Sequence, residues 1–167
     1  MRLAVVLLAF VLGCSLIGFD MPFDVPDVTV PGDPTAHAMA KPFEASAAPF
    51  ALDVDLTQAA KDNKIPGAIS TVTISTLDFT VTSDGCFDFI DEVSLTIESN
   101  KPDTTLPPAV VATRTAPGCV RVMSLAPTDV DLKPYILEGA SVHATGSGIP
   151  PAKPVTFDGR VVLHAAL

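Results

Sequence analysis

The sequence contains no tryptophan, one tyrosine and three histidines in 167 residues. So little aromatic surface argues against a site that stacks sugars or bases. Basic residues are scarce as well: 10 Lys and Arg stand against 19 Asp and Glu, a formal net charge of −9. An acidic surface repels phosphate backbones, which excludes nucleic acid as a partner, and it argues equally against lying flat on anionic lipid. The acid is left to solubility, or to cations and basic partners. No Gly-x-Ser-x-Gly, His-Glu-x-x-His, glycine-rich phosphate loop or dinucleotide fingerprint occurs. No serine has a histidine partner recognisable from sequence, and no Cys-x-x-Cys is present. The chain is therefore read as a non-enzyme without a cofactor.

Long hydrophobic runs are also rare, and the one that exists organises the chain. Arg2 and the α-amino group form a short positive segment, and Leu3 to Leu12 is apolar and uncharged, a plausible signal-peptide core. It ends in Val11-Leu12-Gly13-Cys14, followed by the small, polar Ser15. These residues resemble the lipobox of bacterial lipoproteins, in which a small residue precedes the cysteine that becomes the lipidated N-terminus. The resemblance covers the first 15 residues only. It implies a signal peptide of residues 1–13, lipidation at Cys14 and attachment to a membrane through a lipid anchor. Ser15 is not the aspartate associated with inner-membrane retention in enteric lipoproteins, so the resemblance also implies the outer membrane. The rival is an uncleaved anchor, because no charge occurs from Leu3 to Phe19, near the lower limit of roughly 17–25 residues for a spanning helix. Either way Arg2 lies inside and Asp20 outside, which places residues 20–167 outside the cytoplasm.

With Cys14 lipidated, Cys86 and Cys119 remain. An even pair in an oxidising compartment is most simply a disulfide; two separate buried thiols would be unusual there.

Residues 14–50 are expected to be a flexible tether. They contain Pro22, Pro26, Pro31, Pro34, Pro42 and Pro49, and show no sustained apolar period. Phe19 and Phe23 are then placed at the bilayer interface. A single domain follows over 51–167, enough chain for one core and too little for two. The alternation around Leu52, Val54 and Leu56 predicts a first strand, with a short helical segment over Gln58–Lys64 and a turn at Ile65-Pro66-Gly67. In 69–82 the apolar phase changes: Val72 and Ile74 are even, whereas Leu77, Phe79 and Val81 are odd. A bulge or a break at Ser75-Thr76 follows from that slip. Further strands are expected over 93–98, 109–113, 120–125, 141–145 and 155–167, with a short helix around Lys133-Pro134-Tyr135 stopped by Gly139. Tyr135 is expected to be half-buried. The uninterrupted run from Ala109 marks a central strand. About seven strands with closely spaced turn signals give an all-β antiparallel sandwich. The pattern resembles the immunoglobulin-like domains of bacterial lipoproteins, at the level of architecture and without an invariant motif.

Candidate sites are few. Asp53 and Asp55 recur in the same local pattern as Asp129 and Asp131; side by side, four carboxylates could hold Ca²⁺, although alternation alone predicts solvent-facing acids. Asp84, Asp88, Asp91 and Glu92 form a second acidic group that does not match an EF-hand. His143 and His164 fall on the last two strands and could face each other, but two histidines lack a third zinc ligand. The expected function is a binding or structural module of the cell envelope with an envelope protein as partner, acting through loops 100–107 and 146–154. The alternatives are a β-barrel carrier of a small apolar ligand, as in lipocalin-type folds, and a hydrolase using His143 or His164.

Overall fold

Alternation, bulges and prolines decide where each strand runs. The computed structural model describes residues 18–40, 42–46, 50–52, 55–63 and 68–167; the lipobox with Cys14, Asp53 and the turn at Ile65-Pro66-Gly67 lie outside the described residues. In chain order the elements are β1 (Gly18–Val30), α1 (Pro34–Ala38), β2 (Phe43–Ser46), β3 (Phe50–Leu52), α2 (Leu56–Asp62), β4 (Thr71–Val81) and β5 (Ile90–Ser99). There follow β6 (Ala109–Thr115), β7 (Val122–Ser124), β8 (Ala126–Pro127), α3 (Lys133–Leu137), β9 (Ala140–Gly148) and β10 (Val155–Ala166). One sheet has the order β1-β10-β4-β7 and the other β2-β9-β5-β6-β8, with β3 also on β9. All pairs are antiparallel. The architecture is thus an all-β sandwich. The closed barrel of the carrier alternative does not form, since β1 and β7 end the first sheet.

The bulge in β4 falls on Ser75. Ile74 pairs with Leu163 and Thr76 with Val162, so Ser75 is the extra residue and its hydroxyl donates to the Val162 carbonyl. The slip keeps Val72, Leu77, Phe79 and Val81 all on the buried face. On β10, Gly159 faces inward under Phe79; a Cβ there would come within 2.7 Å of the Phe79 ring. Only glycine lets that ring settle. Gly139, at φ +76, ends α3 as its backbone freedom allows.

The tether is the largest correction. Residues 18–30 are the edge strand β1, paired along its length with β10. Phe19, Met21, Phe23 and Val25 face the core; a register shift between Val25 and Val28 then carries the phase to Val28 and Val30. The prolines that hid this pattern are compatible with it. Half of an edge strand's N–H groups face solvent, so Pro22 and Pro26 can be placed without losing ladder bonds, and with Asp20, Asp24 and Asp27 they blunt the free edge. Phe19 and Phe23 therefore pack on the core instead of lying at a bilayer. Pro34 sits in the first turn of α1, where its missing donor costs nothing, and Asp33 caps that helix through Thr35 and Ala36 N–H at 3.0 and 2.9 Å. The Asp33 N–H in turn donates to the Pro151 carbonyl at 2.8 Å, which fastens this segment to the fold.

Two other expectations change. Leu56 opens α2 and is not in a strand, because Asp55 accepts the Gln58 N–H at 2.9 Å and starts a helix. β6 lies next to the short edge strand β8 and is not central. Its apolar run reflects a bulge: Leu95 pairs with Ala112 and Thr96 with Val110, so Val111 is extra and both Val111 and Ala112 turn inward. Val110, pointing out, is 44% exposed. The expected strand over 120–125 divides at Leu125, β7 joining one sheet and β8 the other, which closes that side of the sandwich. With β1 and β2 added, the described residues hold ten strands instead of about seven.

Candidate functional site

The polar candidates disperse when folded. His143 and His164 lie on different sheets, so they do not face each other. His143 Nε2 is 3.4 Å from Glu98, and His164 Nδ1 is 2.8 Å from Asp20. Neither is bonded to a hydroxyl or thiol among the described residues. The carboxylates meant for Ca²⁺ are used by the backbone instead. Asp55 caps α2, and Asp131 accepts the Val72 N–H at 2.9 Å and the Lys133 N–H at 3.0 Å, joining β4 to α3. Asp129 is exposed and Asp53 lies outside the described residues, so the four-carboxylate arrangement is not assembled among the described residues. The one metal-like grouping found there, Cys86, Asp88 and Cys119, offers no thiolate. Cys86 and Cys119 form a disulfide with Cα atoms 5.0 Å apart. It joins two loops at one end of the sandwich and does not bridge the sheets as in immunoglobulin domains.

The two loops expected to carry the binding surfaces lie at opposite ends. β5 enters at Ile90 beside Gly148 and leaves at Ser99 beside Ala140, so the loop after Ser99 and the loop after Gly148 are a strand length apart. Residues 146–148 are themselves strand, which leaves 149–154 as the loop.

The loop over 100–108 is anchored at its base. Glu138, after α3, accepts from Ser99 Oγ at 2.7 Å, from Thr104 Oγ1, and from Lys101 Nζ at 3.3 Å. Thr104 Oγ1 also accepts the Leu106 N–H, and Ser99 Oγ the Lys101 N–H. Tyr135 is buried, not half-buried, and its hydroxyl donates to the Pro107 carbonyl at 2.7 Å. The hydrogen bonds from Thr104 and Ser99 hold the Glu138 carboxyl below its ordinary pKa, outweighing partial burial, and the Lys101 ammonium adds to them. A lowered folded pKa contributes order that is complete above the unfolded value and disappears as pH falls through the folded one. Amide protection factors at Lys101 and Leu106, corrected for the intrinsic pH dependence of exchange, should accordingly fall as pH drops through the folded pKa of Glu138, and Glu138→Gln should lower them already at neutral pH. Unchanged protection in both would contradict the anchoring role.

What the fold does bring together is apolar space between the sheets. A cavity of about 230 Å³ is lined by Phe23 and Val25 of β1, Leu77 of β4, Leu163 of β10, and Leu95 and Ile97 of β5, among others. Beyond the β1 bulge lies a larger cleft of about 620 Å³, bordered by Val28, Val30, Phe89, Val93, Ala144 and Phe157. Small-molecule pockets span about 300–1,000 Å³ and are mainly apolar, so the larger cleft is of ligand size. Its origin is in β9. The inward positions there run Val142, Ala144, Gly146, Gly148, and beyond Val142 none carries more than a methyl group. Sequence reading missed this by assigning 146–154 to a loop; the shrinking alternate residues were the available signal. Thr29, Asp33, Thr145 and Ser147 supply polar groups at the margin. No protein-family model matches the chain, and no curated protein matches it either.

Proposed function

We propose that the protein is a non-enzymatic, lipid-anchored binding module of the bacterial outer membrane, whose ligand space is the apolar cleft between its two sheets. The lipobox-like residues ending at Cys14 support the anchor, and the Cys86–Cys119 disulfide suits an oxidising compartment. The observation that carries the binding role is the 620 Å³ cleft. Its lining suits a flexible apolar molecule such as an acyl chain, held by burial and placed by the few polar groups at the margin. This keeps the ligand class of the carrier alternative while replacing the barrel by an immunoglobulin-like sandwich.

The test is displacement of an environment-sensitive fluorescent fatty acid, alongside native mass spectrometry of protein released gently from membranes. Wild-type protein should bind the probe and carry an apolar adduct. Ala144→Phe should fill the cleft, abolish probe binding and leave the circular dichroism spectrum intact. Equal probe binding by the filled variant, or none by the wild type, would remove the cleft from consideration. The reading in which an envelope protein docks on the loops would then return, with the 100–108 and 149–154 loops tested separately because one small partner cannot span both ends.

A further inference from the structure

The anchored reading proposed above has a geometric consequence at the end of the sandwich where β1 begins. Gly18 pairs with Ala166, Thr71 also pairs with Ala166, and Ser99 pairs with Ala140. The starts of β1, β4 and β9 and the ends of β5 and β10 therefore share one end. Two bonds fasten the start of α3 to the start of β4 there: the Leu132 N–H donates to the Val72 carbonyl at 2.7 Å, and Lys133 Nζ to the Ile69 carbonyl at 2.8 Å; at the other end of α3 the Asn100 N–H, just after β5, donates to the Gly139 carbonyl at 2.8 Å. The same end carries α3 and the 100–108 loop. The disulfide, α1 and the 149–154 loop belong to the opposite end.

Cys14 precedes Gly18 by four residues, which span at most about 14 Å fully extended. In the uncleaved-anchor alternative the uncharged run ahead of β1 ends at Ile17, so the spacer is shorter still. Headgroup and interfacial layers add only about 5–8 Å to each face of a bilayer. A domain with so short a leash cannot stand away from the membrane. The end nearest the leash also displays apolar surface: Leu137 is 68% exposed, the highest value among the exposed large hydrophobic residues, and Pro107 and Pro108 are exposed beside half-buried Leu106. The 100–108 loop that holds those prolines is fastened by Glu138 and Tyr135, so it offers a preformed surface.

We propose that this end, with Leu137 and the 106–108 segment, rests in the interfacial layer of the lipid bilayer. The contact is apolar. A chain of net charge −9 gains nothing from anionic lipid, so the contact does not depend on phosphatidylglycerol content.

The experiment uses the full chain, acylated in cells and reconstituted in phosphatidylethanolamine–phosphatidylglycerol vesicles. Leu137→Cys and, at the opposite end, Lys153→Cys each receive an environment-sensitive fluorophore; both sites are exposed, and Cys86 and Cys119 are occupied by their disulfide. The label at 137 should shift to the blue and be quenched by lipids brominated near the headgroup, at either phosphatidylglycerol content, while the label at 153 should not. Equal and negligible lipid quenching at both sites would overturn the inference. So would a label at 137 that is shielded from aqueous iodide but untouched by brominated lipid, because a protein would then be the cover. Mass analysis of the N-terminus and membrane fractionation read the anchor itself: an anchored chain with an unquenched 137 label defeats this inference alone, and a chain found free of membrane defeats both.

Discussion

Replacing Phe87 by alanine is expected to cost about 3–5 kcal/mol of unfolding free energy, the range for a large aromatic removed from a packed interior. Phe87 is 0% exposed. Its ring meets Phe157 edge-on at 5.4 Å between centroids and Phe89 at 6.2 Å, while Phe79 packs edge-on against Phe157 at 5.7 Å. Its N–H donates to the Val120 carbonyl at 3.0 Å, so the backbone on either side is held and the site cannot simply collapse. Urea unfolding should show a lower midpoint with an unchanged slope. Since Phe89 and Phe157 also border the larger cleft, the variant should bind an apolar probe more weakly and less selectively than the wild type. A loss under about 1 kcal/mol would mean that the aromatic cluster repacks freely, contrary to the fixed geometry described here.

Removal of the disulfide by Cys86→Ser with Cys119→Ser should cost about 3–4 kcal/mol on chain-entropy grounds, because the bond closes a loop with a sequence separation of 33. For a domain of this size that corresponds to a fall of roughly 10 °C in Tm. The ring contains the β5–β6 hairpin, so the bond restricts the unfolded chain across a large part of one sheet. In the folded state the same region keeps other ties: Arg121 Nη2 donates to the Val81 and Ser83 carbonyls, each at 3.0 Å. Native structure should therefore persist without the bond, with faster amide exchange in the loops it joins. Calorimetry with and without reductant checks this; an unchanged Tm would show that the bond is not formed in the mature protein.

Local patterning was enough to recover the all-β class, the Ser75 bulge from a change of phase within one strand, and α3 with its glycine stop. The even cysteine pair left beside Cys14, with the expectation of an oxidising compartment, was enough to predict the Cys86–Cys119 pair. Each of these rests on neighbours in sequence or on a number, and no folding partner is needed to read it. Other features were decided by residues far away in the chain. β1 looked like a tether because its prolines are incompatible with a ladder on both sides, and only its position at the edge, against a strand at the other terminus, removes the conflict. Ala109–Ala112 resembled a buried central strand because a bulge and a two-sided environment produce the same apolar run. Asp131 resembled a ligand until Val72, distant in sequence, supplied the N–H it accepts. The apolar cleft exists only because the small inward residues of β9 are set opposite β1 and β10. Pairing partners and edges are properties of the assembled sheets, and a period-2 pattern says which face a side chain takes without saying what lies across from it.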